Sequence, residues 1–197
     1  MKEKEKKVIL FAGINGAGKT SLYDTIRSRT DLGVRVSLDD VASRMGDWKD
    51  PVVQVRAGVI VMRQVKEYIK NGITFNQETT LPGAVIVTQL SEAKKAGYTV
   101  ILYFVGVQGV DIAIDRVKRR IERGGHGIPE EVIRKRYLNM PKALSRILPL
   151  CDRAFFYDNT GMFRQIAYIE NNNFADIDPS LPDWFYYVTG RKAISGT

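Results

Sequence analysis

The chain has 197 residues, 44% hydrophobic and 26% charged, which is the composition of a globular protein and enough for one domain with a full core. Its formal net charge of +8 suits an anionic partner (triphosphate, phosphorylated substrate or nucleic acid) without choosing among them. The longest apolar run, Val100 to Val107, is too short for a membrane span. The charged start lacks the apolar stretch of a secretory signal, and the single Cys151 excludes an internal disulfide, so a cytoplasmic setting is expected.

Residues 1–6 are expected to form a solvated tail, and 7–197 a single domain. The first predicted strand, Lys7 to Ala12, runs into Gly13-Ile14-Asn15-Gly16-Ala17-Gly18-Lys19-Thr20, and a helix is predicted from Lys19 to Ser28. This is the P-loop pattern in its strand–loop–helix setting. Glycines let the backbone fold until successive N–H groups point at one phosphate, and the helix adds its positive end. Lys19 is placed on the outer phosphates and Thr20 on Mg²⁺. Gly13, Asn15, Gly16, Ala17, Gly18, Lys19, Thr20 and Ser21 are therefore the predicted nucleotide-binding loop.

A short strand is predicted at Val34 to Leu38. Pro51 to Asn71 is an amphipathic helix with Val55, Val59, Met62, Val65 and Ile69 at helical spacing. A third strand spans Ile73 to Glu78, a helix spans Pro82 to Ala96, and a fully apolar strand spans Thr99 to Val105. Asp111 to Arg123 reads as a basic helix ended by Gly124-Gly125. Pro129 to about Leu150 is a further helical region with Pro141 as a candidate break. A strand at Arg153 to Tyr157 and an edge strand at Arg164 to Glu170 complete the list. This alternation predicts an α/β fold: a mostly parallel sheet of five to six strands flanked by helices, with ligands at the carboxyl ends of the strands.

Polar residues do fall at those ends. Asp39 follows the second strand and is the candidate general base for an acceptor hydroxyl, with Asp40 capping the segment from Val41; the alternative is that both acids cap or are solvated. Glu78, Thr79 and Thr80 end the third strand, suited to an acceptor hydroxyl or the Mg²⁺ shell, or else to capping the next helix. Arg116, Arg119, Arg120 and Arg123 share one helix face and form a candidate lid over the transferring phosphoryl group, with Gly124, Gly125 and Gly127 as hinge; Arg120 is assigned to the nucleotide. A basic face can equally be only solvated. His126 reads as a loop hydrogen-bonding residue.

Phe11-Ala12-Gly13 through Ser21, Asp39-Asp40-Val41, Glu78-Thr79-Thr80-Leu81-Pro82-Gly83, Arg119 through Tyr137 and Asp158-Asn159-Thr160 together resemble the zeta toxin family. The resemblance implies a P-loop kinase fold and an ATP-dependent, Mg²⁺-requiring kinase whose acceptor is a sugar nucleotide such as UDP-N-acetylglucosamine. It implies a small helical antitoxin as a protein partner, expected here as a separate chain. By that resemblance Lys19, Asp39, Arg123 and Arg136 are the catalytic set, with the two arginines as phosphate clamps. Asp39, Glu78, Thr79 and Thr80 hold the acceptor, Thr20 holds the metal, and Asp158 and Asn159 lie near the adenine. Ser37 stands where relatives often carry Asn.

Two other readings stay open. A polynucleotide 5′-kinase would fit the basic charge, although Tyr98, Tyr103, Phe104, Phe155, Phe156 and Tyr157 fall inside predicted strands and read as core, not as base-stacking platforms. A nucleotide-dependent switch ATPase would place an acid after an apolar strand, where this chain has Val105-Gly106-Val107-Gln108. The segment around Trp184 reads as packing the C-terminal region onto the domain.

Overall fold

The computed structural model describes residues 5–47, 50–81, 83–125 and 127–191. The chain opens with β1 (Lys7–Ala12) and α1 (Lys19–Arg27), then β2 (Val34–Val36), α2 (Leu38–Met45) and α3 (Pro51–Lys70). There follow β3 (Phe75–Thr79), α4 (Gly83–Lys95), β4 (Thr99–Gly106), α5 (Val110–Glu122) and α6 (Glu130–Ile147). A 3₁₀ turn at Leu148–Leu150 leads to β5 (Arg153–Asp158), β6 (Arg164–Glu170), β7 (Asn173–Ile177) and α7 (Asp183–Thr189).

All seven strands join one sheet in the order β2-β3-β1-β4-β5-β6-β7. The five from β2 to β5 are parallel, and β6 and β7 are antiparallel. Central position explains why β1 and β4 read as near-continuous apolar runs: Val8 to Ala12, Val100, Leu102, Phe104 and Val105 are buried under helices on both faces. Of the aromatics expected to be core, Tyr98, Phe104 and Phe156 are buried, whereas Tyr103, Phe155 and Tyr157 are half-buried and pack against the core. Phe11, Tyr103, Phe155 and Tyr168 form a row of stacked rings with centroids 5.1, 5.0 and 4.7 Å apart. Among the described residues no helix is long and apolar enough to cross a membrane.

Several local expectations need correction. The sheet has seven strands, not five or six, and β6 is not its edge: Asn171 and Asn172 both take positive φ (49° and 65°), forming a tight two-residue turn that pairs β7 back onto it. The second strand stops at Val36, because Ser37 begins α2 as its N-cap, its Oγ accepting from the Asp40 N–H at 3.1 Å. Ser37 is therefore the cap rather than Asp40, and Asp39 lies in the helix's first turn rather than at a strand end. Pro141 does not break α6. The buried stripe Ile133, Met140, Leu144 and Ile147 anchors both halves against the core and offsets the missing hydrogen bond.

At the start of the chain, residues 1–4 lie outside the described residues. Glu5 and Lys6 are tied down: Glu5 accepts from Thr99 Oγ1 at 2.8 Å and pairs with Lys7 and Arg153, and Lys6 Nζ donates to the Ala96 carbonyl at 3.0 Å. Pro82 and His126 also lie outside the described residues.

The C-terminal segment packs as expected. Trp184 of α7 is buried over Gly106, where a Cβ would meet the indole at 2.4 Å, and it stacks on Phe104 with centroids 5.9 Å apart.

Candidate active site

The sheet's carboxyl edge gathers the polar residues that the strands lead into. After β1 the chain turns over Gly16 (φ 81°) and Gly18 (φ 107°) before entering α1. Both positions require glycine twice over. Each φ lies in the left-handed region, and a Cβ would stand 2.2 Å from the Ala113 carbonyl oxygen at Gly16 or 2.3 Å from Asn159 Nδ2 at Gly18. The loop is thus wedged between α5 and the end of β5, with Asn159 Nδ2 donating to the Ala17 carbonyl at 2.7 Å.

Lys19 folds back over this loop, its Nζ donating to the Ile14 carbonyl at 3.1 Å. Enclosure of the ammonium pushes its pKa down to about 8. Arg136 and Arg120 push in the same direction, while Glu78 and Asp39 oppose them. The same four side chains that perturb Lys19 are those singled out from sequence, drawn from α2, β3, α5 and α6. Arg136 itself is half-buried, which lowers its pKa against the pull of Asp39, and its Nη1 donates to Asn15 Oδ1 at 2.5 Å.

Glu78 sits at the centre of a second cluster. Its Oε2 accepts from Thr20 Oγ1 at 3.2 Å, and its Oε1 accepts from Arg35 Nη2 at 2.9 Å. Arg35 in turn lies 4.0 Å from the ring centroid of Tyr23 on α1. Sequence reasoning missed Arg35 and Tyr23. Arg35 stands one residue before the end of a three-residue strand, and only the β2–β3 register opposite Asn76 brings it level with the loop.

Thr79 and Thr80 follow Glu78. Thr79 Oγ1 accepts from the Leu81 N–H at 2.9 Å and so braces a turn in which Leu81 holds φ 58°, a costly conformation for a branched residue and a mark of a constrained site. Ser21 is exposed on α1, and Thr80 is half-buried beside Thr79.

The arginine face of α5 is real but divided. Arg116, Arg119, Arg120 and Arg123 line, with Gly125, an open depression of about 380 Å³. Arg116 donates to the Thr160 carbonyl at 3.4 Å, Arg120 acts on Lys19, and Arg123 closes the helix as its C-cap. No contact joins Arg123 to Arg136 among the described residues. Gly125 and Gly127 pack tightly, since a Cβ there would meet Arg120 Cγ at 2.7 Å and Ile121 Cδ1 at 2.4 Å. Asp158, by contrast, is buried and occupied: its Oδ1 accepts from Thr160 Oγ1 at 2.6 Å and from Trp184 Nε1 at 2.9 Å. It anchors α7, and Asn159 alone of that pair reaches the loop.

A parallel sheet with a P-loop between its central strand and first helix, facing acids and arginines, defines the P-loop kinase class of fold. Solved structures agree. The AvrRxo1-ORF1:-ORF2 complex with ATP matches with a TM-score of 0.67 at 14% identity, over 98% of this chain and 66% of that one. The PezAT chromosomal toxin–antitoxin system of Streptococcus pneumoniae matches with a TM-score of 0.63 at 18% identity, over 79% of this chain and 68% of that one. In sequence, an uncharacterized protein of Haemophilus influenzae is 31% identical over 135 residues, which are 68% of this chain and 94% of that one. The zeta toxin family profile matches residues 1–164, and the chain belongs to the zeta toxin family. It is an ATP-dependent phosphotransferase.

Proposed function

We propose that this enzyme transfers the γ-phosphoryl group of ATP to a hydroxyl of a sugar nucleotide such as UDP-N-acetylglucosamine. The observation that supports phosphoryl transfer is the convergence on Lys19 of Asp39, Glu78, Arg120 and Arg136; the acceptor is what the family resemblance implies. Asp39 is exposed in the first turn of α2 and makes no hydrogen bond through its carboxylate among the described residues. It takes the proton of the acceptor hydroxyl as that oxygen bonds to the γ-phosphorus; the bond from phosphorus to the β,γ-bridging oxygen breaks, and ADP leaves with the electron pair. Lys19, Arg120 and Arg136 hold the charge that builds on the transferring oxygens, and Arg123 joins them from the rim as α5 and its glycine-rich end close over the site. Gly13, Asn15, Gly16, Ala17, Gly18 and Ser21 cradle the phosphates, and Asn159 faces the base side of the nucleotide. Glu78, Thr79 and Thr80 orient the acceptor.

Thr20 and Glu78 offer a hydroxyl and a carboxylate within 3.2 Å of one another, a hard oxygen pair that suits Mg²⁺. Among the described residues no three His, Cys, Asp or Glu side chains gather into a metal site of their own, so this pair fits a cation that arrives with the triphosphate. When bound, Mg²⁺ neutralises the β- and γ-phosphate oxygens. The family also favours a protein antitoxin as partner. We place the enzyme in the cytoplasm, in keeping with its single cysteine, Cys151.

The test is incubation with Mg²⁺-ATP, with and without UDP-N-acetylglucosamine, following ADP and the mass of the sugar nucleotide. A phosphorylated product is expected. Asp39→Asn should keep ATP binding and lower turnover by ~10²–10⁴-fold. Slow ADP formation at one rate in both tubes would reject this acceptor; unchanged turnover in the variant would remove Asp39 from the mechanism.

A further inference from the structure

The C-terminal helix α7 lies outside residues 1–164, which the family profile covers, yet it packs directly behind the site. It is locked to the carboxyl end of β4. Trp184 is buried over Gly106, its backbone N–H donates to Gln108 Oε1 at 3.3 Å, and Gln108 Nε2 donates to Asp183 Oδ2 at 3.1 Å. From this fixed base Tyr187 lays its ring on Tyr137 of α6, with centroids 5.4 Å apart and planes 17° from parallel. The Tyr187 hydroxyl stands 3.5 Å from the Leu138 carbonyl oxygen, so the stacked ring is the stronger contact. The end of β4 together with Ile14, Tyr137, Met140, Trp184 and Val188 encloses only about 10 Å³ of empty space, room for one water at most. Packed this closely, α6, α7 and the P-loop shift against one another only by repacking.

Tyr137 is the chain neighbour of Arg136. Successive helix residues point about 100° apart, so while Tyr137 meets α7, Arg136 turns to the P-loop, where its Nη1 donates to Asn15 Oδ1 at 2.5 Å. Pro141 has no N–H for the Tyr137 carbonyl four residues before it, which leaves α6 one hydrogen bond short beside Arg136. Between Glu130 and Met140 only Ile133 and Met140 are buried, and a ring stacked on Tyr137 fixes the rotation of that half of the helix. We infer that Tyr187 is a positioning residue: stacked on Tyr137, it sets the direction in which Arg136 reaches the γ-phosphoryl group. The inference rests on the clamp role proposed above for Arg136 and not on the identity of the acceptor.

The test reads binding alone, with no acceptor present. Calorimetry gives the affinity of the full chain for Mg²⁺-ADP and for the Mg²⁺ complex of the β,γ-imido analogue of ATP, which adds the γ-phosphoryl group without transferring it. In Tyr187→Ala the analogue should bind about tenfold more weakly than in the native chain, while ADP binds as before. Tyr187→Phe, which keeps the stacked ring, should bind both as the native chain does. Arg136→Ala should weaken the analogue at least as much, and adding Tyr187→Ala to it should cost nothing further. Should Tyr187→Ala fail to fold, Tyr187→Leu, which keeps apolar cover without the stacked plane, carries the same expectation. Equal loss of ADP and analogue, or a loss that adds to that of Arg136→Ala, would overturn the proposal and make Tyr187 a general support of the fold. An Arg136→Ala chain that binds both nucleotides natively would overturn the clamp and the proposal together.

Discussion

Lys19→Met should make the nucleotide-free protein more stable while crippling its use of ATP. The ammonium is enclosed by the loop and crowded by Arg136 and Arg120, which together with burial lower its pKa from 10.5 to about 8. At about 1.4 kcal/mol per pH unit, holding it charged in the folded state costs roughly 3 kcal/mol. The side chain is partly open to solvent, so screening reduces the effect to about 1–2 kcal/mol. Methionine keeps the length of the stem and removes the charge. The sign follows from proton linkage. Below pH 8 both folded and unfolded chains carry the proton, and the penalty is present in full. Between about 8 and 10.5 the unfolded chain binds more protons than the folded one, so wild-type stability rises with pH and the penalty fades. Urea denaturation at pH 7, 8, 9 and 10, without nucleotide, should show the variant ahead by about 1–2 kcal/mol at pH 7 and the gap closing toward pH 10. ATP binding and turnover should both fall. A variant less stable than wild type at pH 7, or a gap that does not change with pH, would refute the idea that Lys19 is held against its own solvation.

Arg35→Ala removes the partner of Glu78 and its stack over Tyr23. The pair is partly exposed, so stability should change by less than about 1 kcal/mol, whereas Mg²⁺-dependent activity should fall roughly 10–100-fold; a Mg²⁺ titration that superposes on wild type would show Glu78 needs no such support. Gly16→Ala places a methyl group 2.2 Å from the Ala113 carbonyl at φ 81°, so the loop must shift; ATP affinity measured by calorimetry should drop at least tenfold, and retained affinity would mean α5 yields instead. Trp184→Ala empties the space over Gly106 and leaves the Asp158 carboxylate without its indole donor, which should cost about 3–5 kcal/mol in urea denaturation; a loss under 1 kcal/mol would show that α7 is not part of the cooperative core.

What could be read from the sequence was whatever is encoded by local spacing. The P-loop glycines, Lys19 and Thr20 are dictated within eight consecutive residues, and the apolar runs of β1 and β4 announce central parallel strands by themselves. Asp39 and Glu78 were legible as acids after predicted strands and Arg136 only through the resemblance; the strand order that brings β3 beside β1 sets Glu78 next to the P-loop. The misses share a different cause. Helix α2 has only eight residues and a charged first turn, which hid its start behind the look of a strand end. The turn at Asn171-Asn172 was passed over although paired asparagines tolerate positive φ, and β7 went with it. The α3 periodicity was correct, but its stripe is only partly covered: Val65 is buried, whereas Val55, Val59 and Met62 are exposed.

Arg35 was illegible for a deeper reason. Its significance lies in two contacts made by one side chain, to the Glu78 carboxylate from β3 and the Tyr23 ring from α1, with Glu78 in turn reaching the Thr20 hydroxyl. None of these partners is within ten residues of it in the chain, and no periodicity or motif marks the position. Yet this chain of contacts ties the P-loop helix to β3 and β2. If a cation takes Thr20 as proposed, the change would reach Glu78, whose two oxygens are shared between Thr20 and Arg35, and through Arg35 the strand that leads to Ser37 and Asp39. Only three residues separate Arg35 from Asp39, and one of them, Ser37, caps α2. On the roles proposed for Thr20, Glu78 and Asp39, binding of the donor and placement of the base would be coupled through Arg35. In Arg35→Ala that coupling should be lost: the acceptor KM should stop depending on whether the Mg²⁺ concentration is saturating, while in the native enzyme it falls as Mg²⁺ rises. The same Mg²⁺ dependence of KM in both proteins would break this link.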